Sequence, residues 1–181
     1  MTLPSEVLAV FDHFRTCEFS TIAKDGTPTT WPMPAHYLPE QKQFLLTTSI
    51  GLPQKAFNIR REPRVSLLFS DPTASGLVNP PAVLVQGTAT APDNVVTTLD
   101  ACNGLRSYWR DTIFARQPAS EIFSNNPLAQ KLMDWYYMRL IIHVTPRRIL
   151  WWPNGDFTQP AQAIDLSGFE NLTGLGAAHV E

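Results

Sequence analysis

The sequence contains few cysteines and few histidines, and those present are far apart. Cys17 and Cys102 form no metal-binding or redox spacing, and the 4 histidines include no HxH or HExxH pair. We therefore expect two reduced, mostly buried thiols and no metal site. Basic residues are not in excess either, since 14 Lys and Arg stand against 16 Asp and Glu, for a formal net charge of −2. This balance supplies no overall positive field for nucleic acid, so we expect no nucleic-acid partner.

Long apolar segments and targeting signals are also lacking. No apolar run approaches the roughly 20 residues that a membrane-spanning helix requires. The first residues, MTLPSEVLAVFDHF, are acidic and interrupted by polar side chains, unlike a secretory signal. We expect a soluble, cytoplasmic protein with no membrane partner. No Gly-rich turn joins a strand to a helix, which disfavours a doubly wound dinucleotide fold.

The most informative segment that is present covers residues 44–69 and combines hydroxyls, a tight turn and cations. An apolar strand ends in the hydroxyls of Thr47, Thr48 and Ser49, and a Gly-Pro turn leads into a short basic helix that contains Lys55. The amides at the start of a helix favour an anion, and a nearby lysine adds a full positive charge. The segment therefore predicts a site for a phosphorylated ligand.

Strand patterns and short turns predict a mainly β protein with helices outside the sheet. An Asp-Gly turn at 24–27 is typical of a hairpin, because these residues tolerate positive φ. We expect a break in the last strand region at Pro146 and a helical region that begins with Asp93 as its N-cap. The predicted strands are 19–23, 28–38, 43–48, 64–70, 82–91, 138–145 and 148–152, and the predicted helices are 3–14, 53–61, 93–116 and 127–136. Hairpins and short links between strands favour an antiparallel sheet closed into a small barrel.

Five pieces of the chain occur in the order found in one known family. Residues 19–28 read FSTIAKDGTP and resemble its opening hairpin, and residues 55–65 read KAFNIRREPRV, close to its K-x-x-N-I-R-x-x-P-R-V motif. The other three pieces are WPMP at 31–34, VLVQGTA at 83–89 and IHVTPRRILWW at 142–152. Together they resemble the FMN-binding split-barrel family typified by pyridoxamine 5′-phosphate oxidase.

This resemblance implies an antiparallel split β-barrel of six to seven strands with peripheral helices. It implies one domain over 1–152, with a helical insert at about 93–137, followed by a C-terminal tail at 153–181. It also implies an FMN cofactor held at the interface of a homodimer, and oxidoreductase activity on a small organic substrate. The flavin would carry the electron transfer, while the protein binds and orients it.

The resemblance also implies which residues bind the cofactor. Thr47, Thr48 and Ser49 would donate to the phosphate and Lys55 would pair with it. The return strand would lie along the edge of the flavin ring, Gln86 would approach the ring from another strand, and Trp151 or Trp152 would reach it from the partner subunit. The return-strand residues in this prediction are Trp31, Pro32, Met33 and Pro34.

Two other functions remain open from the sequence. One is a deazaflavin-dependent reductase on the same barrel, with a longer polyanionic cofactor tail. The other is a non-catalytic module that binds a flavin or haem. Pyridoxamine phosphate itself is a disfavoured substrate, because the chain after Trp152 contains no Arg or Lys to hold a second phosphate.

Overall fold

The computed structural model describes residues 3–98, 101–115 and 138–166. Within these ranges a single sheet is accompanied by short helices. The strands are β1 (Cys17–Ile22), β2 (Pro28–Met33), β3 (His36–Leu38), β4 (Gln43–Ser49), β5 (Arg64–Phe69), β6 (Ala82–Thr90), β7 (Arg139–Trp152) and β8 (Gln162–Ile164). The helices are α1 (Ser5–His13), α2 (Gln54–Arg61) and α3 (Leu105–Ser107), and α3 continues directly into a π-helical segment, Tyr108–Phe114.

The sheet is antiparallel throughout and curls into a split barrel. Its order is β2-β1-β5-β6-β7-β4-β3, with β8 paired to β7. The strands at the two ends of this order, β2 and β3, are consecutive in the chain and separated only by Pro34 and Ala35. The two edges of the sheet are therefore held near each other, and the predicted split-barrel fold is confirmed.

The opening hairpin forms where the Asp-Gly pair predicts it. Gly26 has a φ of +87°, which a residue with a side chain rarely adopts, and the Asp25 carboxylate accepts a 2.9 Å hydrogen bond from the Thr27 amide. Across the hairpin, Phe19 pairs with Trp31 and Cys17 with Met33. The turn therefore sets the register that places Trp31 and Met33 on the inner face of the sheet.

The strands differ from the sequence prediction in three places, apart from small shifts at their ends. The predicted strand 28–38 is two strands, because Pro34 and Ala35 separate β2 from β3. The predicted break at Pro146 is wrong, because β7 runs through it. Pro146 lies opposite Gly87, where the register between β6 and β7 shifts, and such an irregularity tolerates a residue without an amide hydrogen. The predicted tail also contributes a strand, since β8 extends the sheet beside β7.

The helical insert is shorter at its start than predicted. Asp93 is not a helix N-cap: it is exposed and forms an ion pair with Arg60. Val96 instead bridges Arg139 through two backbone hydrogen bonds, and the helix begins only at Leu105, after Gly104 with a φ of +81°. The backbone pairing of Val96 with Arg139 therefore replaces the predicted start of the helix. The predicted helix at 127–136 lies outside the described residues.

Two apolar clusters lie on opposite faces of β4 and β7. The barrel core lies on the inner face and includes Phe11, Phe19, Phe44, Leu46, Leu67, Phe69, Val85 and Ile142. The insert core lies on the outer face and contains Leu38, Leu45, Val96, Leu105, Tyr108, Trp109, Ile113 and Ile141. The helical insert therefore packs against the outer face of the strand that ends in the three hydroxyls.

A buried asparagine fastens helix α2 to the opening hairpin. The Asn58 side chain is fully buried and its Nδ2 donates to Thr21 Oγ1 at 2.9 Å. Its Oδ1 accepts from Gln54 Nε2 at 2.9 Å and from the Arg61 guanidinium at 3.2 Å. The same guanidinium donates to the Ile22 carbonyl at 2.6 Å. This network positions the helix that carries Lys55.

We expect Asn58→Ala to lower the free energy of unfolding by about 1–3 kcal/mol, because it leaves the buried Thr21 hydroxyl without this donor. Urea denaturation monitored by circular dichroism measures the change. Gln54→Ala is the matched control, since Gln54 is exposed and bonds to the same amide; its effect should stay within about 0.5 kcal/mol. Equal stabilities for the two variants would contradict a structural role for the buried amide.

Candidate functional site

The three hydroxyls at the end of β4 point to two different faces of the sheet. Side chains alternate along a strand, and Leu46 faces the barrel core while Leu45 faces the insert core. Thr48 therefore continues the inner face, and Thr47 and Ser49 continue the outer face. Only the hydroxyls of Thr47 and Ser49 share a side of the sheet.

Each hydroxyl has a hydrogen-bond partner near the start of α2 or in the insert. Thr48 Oγ1 donates to the Leu52 carbonyl at 2.8 Å and so closes the turn before α2. Ser49 Oγ accepts from the Gly51 amide at 3.2 Å. Thr47 Oγ1 donates to the Tyr108 hydroxyl at 3.2 Å, which links the barrel to the insert. The geometry therefore orients all three hydroxyls around one strand end.

Lys55 lies in the first turn of α2 and is only 6% exposed. Its Nζ sits 4.7 Å from the centre of the Trp31 ring, an attractive cation–π distance. Burial lowers the pKa of this ammonium from its usual 10.5. Among the residues that the structure describes, no carboxylate forms an ion pair with Lys55, and an incoming anion favours such a buried cation.

A cavity of about 180 Å³ brings these groups together. Hydroxyls and cations line one part of it, and apolar and aromatic side chains line the rest. Its walls are Met33, Pro34, Thr47, Thr48, Ser49, Leu52, Lys55, Tyr108, Trp109, Ile113 and Arg139. None of the lining residues that the structure describes is Asp or Glu, and two of them, Lys55 and Arg139, are cationic.

The return strand contributes to the site unevenly. Met33 and Pro34 line the cavity, and Trp31 lies behind Lys55. Pro32 is exposed on the opposite face, because it alternates with its neighbours along β2. The structure thus brings Met33 and Pro34 to the hydroxyls, with Trp31 supporting Lys55.

The other two predicted residues lie away from this cavity. Gln86 is exposed on β6, between Ser66 on β5 and Arg148 on β7. Trp151 lines a separate surface cavity of about 280 Å³ beside Glu6 and Leu77. Their contact with a flavin stays a prediction, because it depends on the ring and on a second subunit.

Besides Leu52, which lies in the turn after the hydroxyls, four lining residues were not predicted from the sequence: Tyr108, Trp109, Ile113 and Arg139. Three belong to the π-helical segment and one begins β7, so no local motif connects them to the hydroxyls. Arg139 is directly opposite Ser49 in the β4–β7 pairing, and its guanidinium lies 5.5 Å from the Trp109 ring centre. In the sequence, these residues were marked only by the adjacent aromatic pair Tyr108 and Trp109, which lies in a segment that matches no family motif.

Several histidines and arginines outside the cavity contact other parts of the fold. His36 Nδ1 and the Thr112 hydroxyl are 3.0 Å apart, which ties β3 to the insert, and burial lowers the pKa of His143. Arg64 pairs with Glu62 at 2.8 Å, and Arg60 donates to the Ala91 carbonyl at 2.6 Å. In the ranges that the structure covers, no group of three His, Cys, Asp or Glu side chains is arranged to hold a metal ion. No helix in those ranges is long and apolar enough to cross a membrane.

The fold and this cavity define a split β-barrel protein in which hydroxyls and cations line a cavity at the end of β4. The sequence profile described as pyridoxamine 5′-phosphate oxidase matches residues 3–105, which is more than half of the chain. The chain belongs to the pyridoxamine 5′-phosphate oxidase family. No curated protein matches it.

Several solved structures share the fold at low sequence identity. A protein from Clostridium acetobutylicum related to general stress protein 26 is 11% identical, with a TM-score of 0.55 over 91% of this chain and 94% of that one. An F420 reductase is 21% identical, with a TM-score of 0.54 over 81% and 98%. A haem-binding protein from Mycobacterium smegmatis is 14% identical, with a TM-score of 0.55 over 93% of this chain and 61% of that one. These likenesses show the shared barrel.

Proposed function

We propose that this protein binds FMN and acts as an oxidoreductase on a small organic substrate. The observation that carries the proposal is the cavity itself, in which Thr47, Ser49 and Lys55 surround one space that Arg139 also lines. Hydroxyl donors and two cations suit a phosphate monoester, which carries a charge near −2 at neutral pH. Family membership supports a flavin as the molecule to which that phosphate belongs.

The cavity size supports a cofactor that is only partly enclosed by one subunit. Sites for small molecules and cofactors commonly have volumes of about 300–1,000 Å³. At about 180 Å³, this cavity matches the phosphate end of a flavin nucleotide rather than the whole molecule. The ring would lie beyond it, along Trp31, Met33 and Pro34, and against a second subunit.

We therefore propose a homodimer in which the cofactor site lies at the interface. Exposed apolar side chains beside the cavity support this arrangement, since Ile50 is 39% and Leu52 is 67% exposed. Trp151 and Gln86 would meet the ring from the partner or from its own barrel. We expect light scattering at micromolar concentration to give about twice the 20.3 kDa of one chain. A 20.3 kDa particle with FMN bound would exclude the shared site while leaving FMN binding intact.

The residues of this chain would bind and orient the cofactor. FMN, when bound, supplies the electron-transfer chemistry of such proteins. Ser49, Thr47 and Lys55 would hold its phosphate, and the return strand would lie along the ring edge, where Pro32 and Pro34 offer no amide donor. The aromatic wall at Tyr108 and Trp109 would exclude water from the phosphate end.

Identification of the bound cofactor tests this function most directly. The purified protein is expected to show a flavin absorbance spectrum, and acid treatment is expected to release a molecule with the mass of FMN. A released deazaflavin would instead favour an F420-type reductase, and a haem spectrum would favour a haem-binding module. FMN bound without turnover by any reductant and acceptor pair would retain the cofactor and overturn the oxidoreductase role.

The affinity for FMN is expected to fall as the pH rises toward the alkaline range. The phosphate is held by the charged form of Lys55, and burial places its pKa below 10.5. Raising the pH through that lowered pKa removes the charge earlier than for an exposed lysine. Dissociation constants from about pH 7 to about pH 10 measure this, with riboflavin as the phosphate-free control. Lys55→Arg should abolish the loss over this range, because an arginine stays charged; a loss that persists in that variant would contradict the assignment to Lys55.

A further inference from the structure

Two cation–tryptophan pairs of the described residues lie at the cavity, one on each side. On the barrel side, Lys55 Nζ lies 4.7 Å from the Trp31 ring centre. On the insert side, the Arg139 guanidinium lies 5.5 Å from the Trp109 ring centre. Both cations line the same cavity as the strand-end hydroxyls. The second pair is not part of the motif that suggests a phosphate site in the sequence.

The position of Arg139 is held by backbone pairing on both sides. It is directly opposite Ser49, so the two side chains lie on the same outer face of the sheet. Its amide donates to the Val96 carbonyl at 2.9 Å, and its carbonyl accepts from the Val96 amide at 2.8 Å. Trp109, against which the guanidinium lies, is 2% exposed within the insert core. Rigid neighbours therefore hold Arg139 on the same face of the sheet as Ser49, with its guanidinium against Trp109.

We propose that Arg139 is a second cation for the ligand's phosphate and that the insert, through Trp109, positions it. A planar guanidinium offers two parallel donors to phosphate oxygens, which the point charge of Lys55 does not. Lys55 and Arg139 line the same cavity, so both cations face the space that the phosphate would occupy. The identity of the ligand as FMN rests on the proposed function. The contact of Arg139 with a phosphate does not depend on that identity.

Through Tyr108, binding of a phosphate would be coupled to the docking of the insert on the barrel. Its hydroxyl accepts from Thr47, whose side chain faces the same cavity, so the insert contacts the phosphate site at two neighbouring residues. A phosphate that is bound between Lys55 and Arg139 would therefore stabilise the docking of the insert on the barrel. A ligand without a phosphate would not gain this coupling.

The test compares FMN with riboflavin, which lacks the phosphate. We expect Arg139→Gln to weaken FMN binding by roughly 10- to 100-fold and riboflavin binding by less than about twofold. Arg139→Lys should show an intermediate loss for FMN. Arg147→Gln, an exposed arginine on the same strand, is the control and should leave both affinities unchanged. Equal FMN affinity in Arg139→Gln, or an equal loss for both ligands, would overturn the phosphate contact.

Two further measurements separate this inference from the proposed function. If the wild type binds no flavin, the proposed function fails; Arg139 is then tested by calorimetry with inorganic phosphate, where Arg139→Gln should lose the same factor. No phosphate binding by the wild type, or equal binding by the variant, would overturn the inference. In the unaltered protein, FMN should slow amide hydrogen exchange over 105–114 more than riboflavin does. Equal protection by both ligands would also overturn it, even if Arg139→Gln fails to fold.

Discussion

Replacing Lys55 with alanine is expected to weaken FMN binding by roughly 10- to 100-fold. A charge-assisted contact to a phosphate is worth about 1.5–3 kcal/mol, and each 1.4 kcal/mol is a factor of ten in affinity. Lys55 is 6% exposed and faces the cavity, so solvent screens its charge less than that of a surface lysine. Titration of the apoprotein with FMN, followed by flavin fluorescence, measures the loss.

The same substitution should leave the apoprotein folded. Burial lowers the pKa of Lys55, which means that the fold disfavours its charged form in the absence of an anion. Removing the ammonium therefore relieves a cost, and thermal unfolding of the apoprotein should not occur at a markedly lower temperature. Lys24→Ala, at an exposed position of the hairpin turn, is the matched control and should bind FMN as the wild type does. Wild-type affinity in Lys55→Ala would show that the phosphate lies elsewhere.

Gly87→Ala is expected to produce the largest loss of stability, about 1–3 kcal/mol or more of unfolding free energy. A Cβ at this position would lie 2.2 Å from the Thr145 carbonyl oxygen and 3.1 Å from the Pro146 Cα. These are backbone atoms of the paired strand, so no side chain can rotate away. The strands β6 and β7 would have to separate where their register shifts. Urea denaturation measures the change in unfolding free energy.

Gly51→Ala provides the comparison for this prediction. A Cβ there meets only Ser49 Oγ at 3.7 Å, an ordinary contact, and the residue is exposed. Its unfolding free energy should stay within about 0.5 kcal/mol of the wild type. If Gly87→Ala unfolds at the same urea concentration as Gly51→Ala, the close approach of the two strands is not a constraint on the fold.

Local sequence patterns were sufficient for most of the barrel. Gly26 accepts the positive φ that the turn needs, so the Asp-Gly pair predicts the opening hairpin. The apolar run in 43–48 and the alternation of Val83 and Val85 with their neighbours in 82–91 likewise predict two strands. The N-cap role predicted for Asp93 is wrong because its carboxylate pairs with Arg60, a partner distant in sequence. A capping preference is worth only about 1 kcal/mol, and such a contact easily overrides it.

For the strand-end hydroxyls of Thr47, Thr48 and Ser49, the sequence likewise determines one part of the arrangement and the tertiary structure another. Three adjacent hydroxyls in a strand cannot share one face, because the side-chain period is two. The sequence itself therefore separates Thr48 from Thr47 and Ser49. The cavity takes residues from both faces of the strand end, and the insert supplies its outer wall through Tyr108 and Trp109.

The sequence by itself determined the split-barrel family, the position of the strand-end hydroxyls and the proximity of Lys55, because these features lie within short, contiguous segments. Only the tertiary structure decided that Arg139, Trp109 and Tyr108 line the same cavity. Their place depends on the pairing of β4 with β7 and on the packing of the insert, which are contacts between residues far apart in the chain. No local propensity encodes such a contact, so the second cation becomes visible only when the sheet is assembled.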